Sequence, residues 1–128
     1  EEVAFVSEQE SLEKGVSFIR DNSDIKILFV TLGNKGSIAY YKDEKIYCGG
    51  IHQEHVVDTT GAGDTFCGAV LSRILELGTD ALTEKDIREM LLFANAAASI
   101  VVTRKGALCS MPEPEEIRAA TSLIDKVL

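Results

Sequence analysis

At 128 residues the chain is long enough for one hydrophobic core and too short to suggest two domains. Its composition, 45% hydrophobic and 27% charged, is that of a soluble globular protein, and no apolar stretch approaches the roughly 18 to 20 residues that span a bilayer. A formal charge of −8, with lysines and arginines scattered rather than striped, opposes the basic footprint of a nucleic-acid binder.

Leu12, Val16 and Ile19 recur at helical spacing behind Ser11, a capping residue, so Ser11 to Asp21 is expected to be a surface helix ending at Asn22, although Gly15 lies inside it. Ile25 to Val30 is a short, nearly continuous apolar run, the pattern of a strand covered on both faces, with Thr31-Leu32-Gly33 at its end. Gly36 to Tyr41 and Lys45 to Gly49, separated by Lys42, Asp43 and Glu44, predict a β-hairpin. Val56 and Val57 predict a further strand that would deliver Asp58 to the rim of the sheet.

From Asp64, Phe66, Val70, Ile74 and Leu77 follow helical spacing until Gly78. Thr83 and Asp86 form a capping pair before a second helix with Ile87, Leu91, Ala94, Ala98 and Val101 on its buried side, where Ala96 to Ser99 would let another backbone or a flat ligand come close. Beyond Pro112 and Pro114, the positions Ile117, Ala120, Ile124 and Val127 predict a closing helix. Strands alternating with helices imply an α/β layered sheet, with ligands expected at the carboxyl ends of strands.

The chemistry concentrates in Asp58-Thr59-Thr60-Gly61-Ala62-Gly63-Asp64-Thr65-Phe66. Gly61 and Gly63 permit close ligand approach, and the helix that follows points unpaired N–H groups and its positive dipole end at an anion. Asp64 is then either a helix cap or a base beside a phosphate site. The segment is not a Walker loop, since no lysine follows Gly63, and its glycines do not have dinucleotide-binding spacing. His52 and His55 have no partners that complete a metal set, and no Gly-x-Ser-x-Gly elbow occurs.

The nonapeptide resembles the C-terminal signature of the ribokinase-like (PfkB) family of carbohydrate kinases. The resemblance extends to Thr31-Leu32-Gly33-Asn34-Lys35-Gly36, similar to the family's nucleotide loop, and to Asn95-Ala96-Ala97-Ala98, similar to the helix flanking the adenine. It implies the C-terminal, ATP-binding portion of a three-layer α/β/α fold over residues 1–128. It further implies that Asp64 is the catalytic base and that the N–H groups of Gly61, Ala62 and Gly63 form an anion hole for the γ-phosphoryl group of MgATP. Thr31, Gly33, Gly36, Gly63 and Asn95 are carried over as nucleotide contacts. Asp58, Thr60, Val101, Arg104, Gly106 and Ser110 match the positions of a potassium site, partly through backbone carbonyls. Glu2 matches a metal-network Glu of the family or is a solvated carboxylate at a helix start.

The Ser110-Met111-Pro112-Glu113-Pro114 ending resembles fructokinases more than ribokinases, which makes fructose the first substrate to expect, with ribose, a ketodeoxy-sugar acid or a nucleoside as alternatives. The family's N-terminal half, with most sugar contacts, has no counterpart here, and the chain begins at Glu1 without an initiator Met or signal pattern, as if cut from something longer. Alone it is expected to be inactive, and an apolar face left where the other half docks implies self-association. The alternative is a non-catalytic nucleotide-binding or interaction module. Cys48, Cys67 and Cys109, odd in number and on apolar stretches, read as buried thiols of a cytoplasmic protein.

Overall fold

Three strands, Ile27–Thr31 (β1), Gly36–Tyr41 (β2) and Glu44–Gly49 (β3), pair antiparallel in the order β1-β2-β3 in this computed structural model, which describes residues 1–106 and 108–124. The register sets Phe29 opposite Ala39 and Ala39 opposite Ile46, while Val30 faces Ile38. Because successive side chains point to opposite faces, the apolar runs of β1 and β2 supply two separate cores.

On one face Ile27, Phe29, Ala39, Tyr41, Ile46 and Cys48 pack with the helices Ala62–Leu77 (α3), Glu84–Val101 (α4) and Pro114–Ile124 (α5). On the other, Leu28, Val30, Ile38 and Tyr40 meet Val3, Leu12 and Val16 from Glu2–Ser7 (α1) and Leu12–Asp21 (α2). The result is the expected α/β/α layering in its described part, built here on an antiparallel sheet.

The helix ends agree with their sequence signals. Ser11 accepts the Lys14 amide at the start of α2, and Gly78 at φ 75° closes α3 with its N–H on Ile74 O at 2.8 Å. At α4 both legs of a capping box form between Thr83 and Asp86. Gly15 is explained by packing rather than local preference: a Cβ there would stand 2.7 Å from Ser7 Oγ and 2.7 Å from Val3 Cγ1, so its absence lets α1 lie close to α2.

Three expectations are corrected. Val56 and Val57 form no strand; the amides of Val57 and Asp58 both donate to Val102 O, at 2.8 and 3.2 Å, and one carbonyl at a helix end cannot extend into a ladder. Cys67 and Cys109 are exposed and only Cys48 is half-buried. Cys67 follows the buried Phe66, and one step along a helix turns the side chain by roughly 100°, away from the core. The hairpin turn is also shorter than expected, since Glu44 already pairs with Tyr41 and only Lys42 and Asp43 bridge the strands. In α5 Ile117 is buried and Ala120 half-buried; Val127 and the side chain of Ile124 lie outside the described residues.

Candidate active site

A cleft of about 370 Å³ opens at the carboxyl end of β1, between the hairpin, the start of α3 and the second half of α4. Thr31, Gly33, Gly36, Ala62, Gly63 and Asn95, drawn from three separate segments of the sequence, all line it. Its rim depends on glycine. Gly36 holds φ 106°, and a Cβ on it would lie 2.1 Å from Cys48 O and 2.5 Å from Gly50 N. The bare backbones therefore cross closely enough for Gly50 N to donate to Lys35 O at 3.1 Å.

The signature turn forms the opposite wall. Gly61 caps α3 in the left-handed region at φ 83°, a conformation a side chain would resist. Of the amides in this turn, Ala62 donates to Thr59 O at 3.2 Å, while those of Gly61, Gly63 and Asp64 have no acceptor among the described residues. The amides without an acceptor are thus those of Gly61, Gly63 and Asp64, while Ala62, the other member of the expected anion hole, is engaged within the turn. Asp64 stands at the third position of α3, exposed and making no side-chain capping bond, so the cap reading does not describe it.

Behind the turn, Asp58 joins two loops. One carboxylate oxygen accepts Thr60 N at 2.9 Å and the other accepts Gly106 N at 3.5 Å. The Thr60 amide, helped by its hydroxyl, by Gly106 N–H and by the charge of Lys105, holds this carboxyl below the ordinary value of 3.8. Ser110, fully buried, donates to Lys105 O at 2.8 Å, and Arg104 reaches both Ser110 O and the Glu116 carboxylate. The Val101 carbonyl accepts Arg104 N at 3.1 Å. Hydrogen bonds thus join Asp58 to Thr60 and Gly106, and Arg104 to Ser110 and the Val101 carbonyl, and the two sets meet at the Lys105–Gly106 peptide. Their oxygens are carboxylate and carbonyl, the hard donors that suit an alkali cation. No group of three His, Cys, Asp or Glu side chains that could hold a metal occurs among the described residues.

Sequence reasoning missed part of the cleft. Ile51, His52, Gln53 and Val56 line it from the connection after β3, a stretch whose irregular path carries no periodic signal. Gln53 donates to Ser99 Oγ at 3.4 Å, bridging that connection to α4. Among the small residues of α4, Ala96 and Ala97 are fully buried in the core, whereas Ala98 and Ser99 face the cleft. Glu2 sits exposed in the first turn of α1 and is not part of the cleft wall.

A helix N-terminus with open amides and a glycine turn in the wall of one cleft is the setting in which α/β proteins hold anionic ligands. The chain belongs to the pfkB family of carbohydrate kinases, whose family model matches residues 1–114. It is 38% identical over 118 residues to Fructokinase-1 of Zea mays, covering 91% of this chain and 36% of that protein. Against Fructokinase-2 of Solanum lycopersicum it is 42% identical over 93 residues, 73% of this chain and 28% of that protein.

Among solved structures, a fructokinase of Vibrio cholerae O395 in fructose, ADP and calcium ion bound form superposes with a TM-score of 0.81 at 29% identity, covering 93% of this chain and 38% of that one. The ribokinase of Arabidopsis thaliana complexed with ribose and ATP gives 0.76 at 33% identity, covering 94% and 38%. The fold is ribokinase-like, and the chain spans about a third of the length of these relatives. No helix among the described residues is long and apolar enough to cross a membrane.

Proposed function

We propose that this chain supplies the ATP-binding and catalytic-base part of a kinase that phosphorylates a hydroxyl of a small sugar, fructose first. The observation that carries the reading is the run of three open amides, on Gly61, Gly63 and Asp64, at the start of α3 beside the exposed Asp64 carboxylate, with Ala62 and Gly63 of the same turn in the cleft wall. Phosphoryl transfer asks the protein chiefly to position its reactants and to stabilise charge on the moving group. The amides would bind the γ-phosphoryl oxygens. Asp64 would take the proton of the sugar hydroxyl as its oxygen attacks phosphorus and ADP departs, leaving the sugar phosphate.

Thr31, Gly33 and Gly36 on the hairpin side, with Asn95 and Ala98 on the α4 side, would enclose the nucleotide. Magnesium bound with ATP would neutralise phosphate charge, and potassium at the Asp58 group would support the turn from behind; the carboxylate and carbonyl donors at Asp58, Val101, Arg104, Gly106 and Ser110 fit such an ion. The fructokinase relatives favour fructose over ribose. The rest of the sugar site would come from further kinase sequence beyond these residues.

The test is ADP release with MgATP and potassium, by this chain and by a longer polypeptide carrying it, on fructose, ribose, ketodeoxygluconate and a nucleoside. Turnover by the longer polypeptide on fructose, with none by this chain, is the expected result. Absence of turnover on every sugar, with nucleotide binding retained, would replace the kinase by a nucleotide-binding module.

A further inference from the structure

Asn95 lies on α4 and lines the cleft, yet the residue is 7% exposed and its polar atoms are engaged by other parts of the protein. Its Oδ1 accepts from Ser37 Oγ at 2.9 Å, and its Nδ2 donates to Cys48 O at 3.3 Å and to Gly49 O at 3.2 Å. Both amide hydrogens are thereby committed, and the orientation is fixed by chemistry, because two carbonyls demand the NH2 and a hydroxyl suits the oxygen. Ser37 is fully buried on β2 and is not part of the cleft wall.

These bonds tie α4 to both strands of the hairpin one residue before the strands become loop. Gly36 follows Leu32, Gly33, Asn34 and Lys35, and Gly50 follows Gly49; the two loops meet where Gly50 N donates to Lys35 O. A Cβ on Gly50 would come within 2.2 Å of Asn34 O, so the separation of the loops has no slack. We infer that Asn95 is a positioning residue: with Ser37 it clamps the hairpin end to α4 and so sets the height of the Gly33–Gly36 and Gly50 rim, rather than reading the nucleotide with its own amide. The effect on affinity rests on the reading of the cleft as a nucleotide site.

The discriminating variant is Ser37→Ala, which removes the clamp's far partner without altering any residue of the cleft. ADP affinity would be measured for the wild-type chain, Ser37→Ala, Asn95→Ala and the double variant, at a temperature where all are folded, together with hydrogen exchange at the Gly50 amide. Losing one buried hydrogen bond predicts that Ser37→Ala weakens ADP about five-fold and accelerates Gly50 exchange by a comparable factor. The double variant should be no weaker than Asn95→Ala alone, because both act through one bond.

Asn95→Asp, the same size but acceptor-only, should also release Gly50 and weaken ADP. A silent Ser37→Ala beside a damaging Asn95→Ala would overturn the inference and make Asn95 a direct contact. Unchanged Gly50 exchange in all variants would overturn it without reference to nucleotide. A wild-type chain that binds no ADP would instead sink the nucleotide reading, leaving exchange to decide the clamp.

Discussion

Asp64 occupies the third position of α3, where a carboxylate is favoured by the helix dipole, yet no hydrogen bond to its side chain is formed among the described residues. Its carboxylate stands exposed beside the open amides of the turn. Replacing it with Asn in a polypeptide competent for sugar phosphorylation should keep thermal stability and ADP affinity while lowering kcat by about two to four powers of ten, the range of general acid–base groups. Steady-state kinetics with fructose read this directly, and near-normal turnover would remove Asp64 from the role. Its place at the start of a glycine-opened helix was legible from residue order alone, since Gly61, Gly63 and Asp64 lead into a helical run. The commitment of Asn95 was not, because its partners lie 58, 47 and 46 positions away and only folding brings them together.

At the scale of elements, the glycines of the cleft fall into two kinds that one sequence letter conceals. Gly36 at φ 106° is crossed by backbone on its open side, whereas Gly63 sits in the first turn of α3 with nothing within 4 Å of a Cβ. Gly36→Ala should therefore lower the melting temperature sharply, because the blocking atoms belong to backbone and cannot swing aside. Gly63→Ala should melt at or slightly above the parent, since Ala is the better helix residue, while losing nucleotide affinity because the methyl group enters the cleft. Paired melting curves and ADP titrations check the contrast, and equal destabilisation by both substitutions would contradict it. Helices and hairpin were readable from periodicity, while the Val56–Val57 stretch was not, because β-branched residues mark extended backbone and do not reveal whether a partner strand is present.

Across the whole molecule, hydrogen-bonded carboxylates fix joints between segments and a helix start. Asp58 spans the signature turn and the loop after α4, Asp80 pairs with Lys26 at the foot of β1, and Asp86 closes the α4 capping box. The Thr60 amide at Asp58, the Lys26 hydrogen bond at Asp80 and the Thr83 hydroxyl at Asp86 each hold the carboxyl below its ordinary 3.8. A folded value below the unfolded one contributes stability that is complete above the unfolded value and disappears as pH falls through the folded value. Melting temperature should accordingly be flat above about pH 5 and decline below about pH 4, and Asp58→Asn should melt lower near neutrality with a shallower acid decline. An acid profile for Asp58→Asn with the parent's slope would show that this carboxylate is not a source of the decline.

The sequence by itself determined the local matters: where α2, α3 and α4 begin and end, the pairing of β2 with β3, a glycine turn opening a helix, and the family. These are encoded within a few residues, in caps, in spacings of two or three to four, and in a contiguous signature. Only the tertiary structure decided which amides of that turn are left open, that β1 joins the hairpin antiparallel beside β2, that His52 and Gln53 join the cleft, and that Asn95 is spent on the hairpin. Each of those depends on which distant group occupies a hydrogen-bonding partner or a volume, and no stretch of neighbouring residues carries that information.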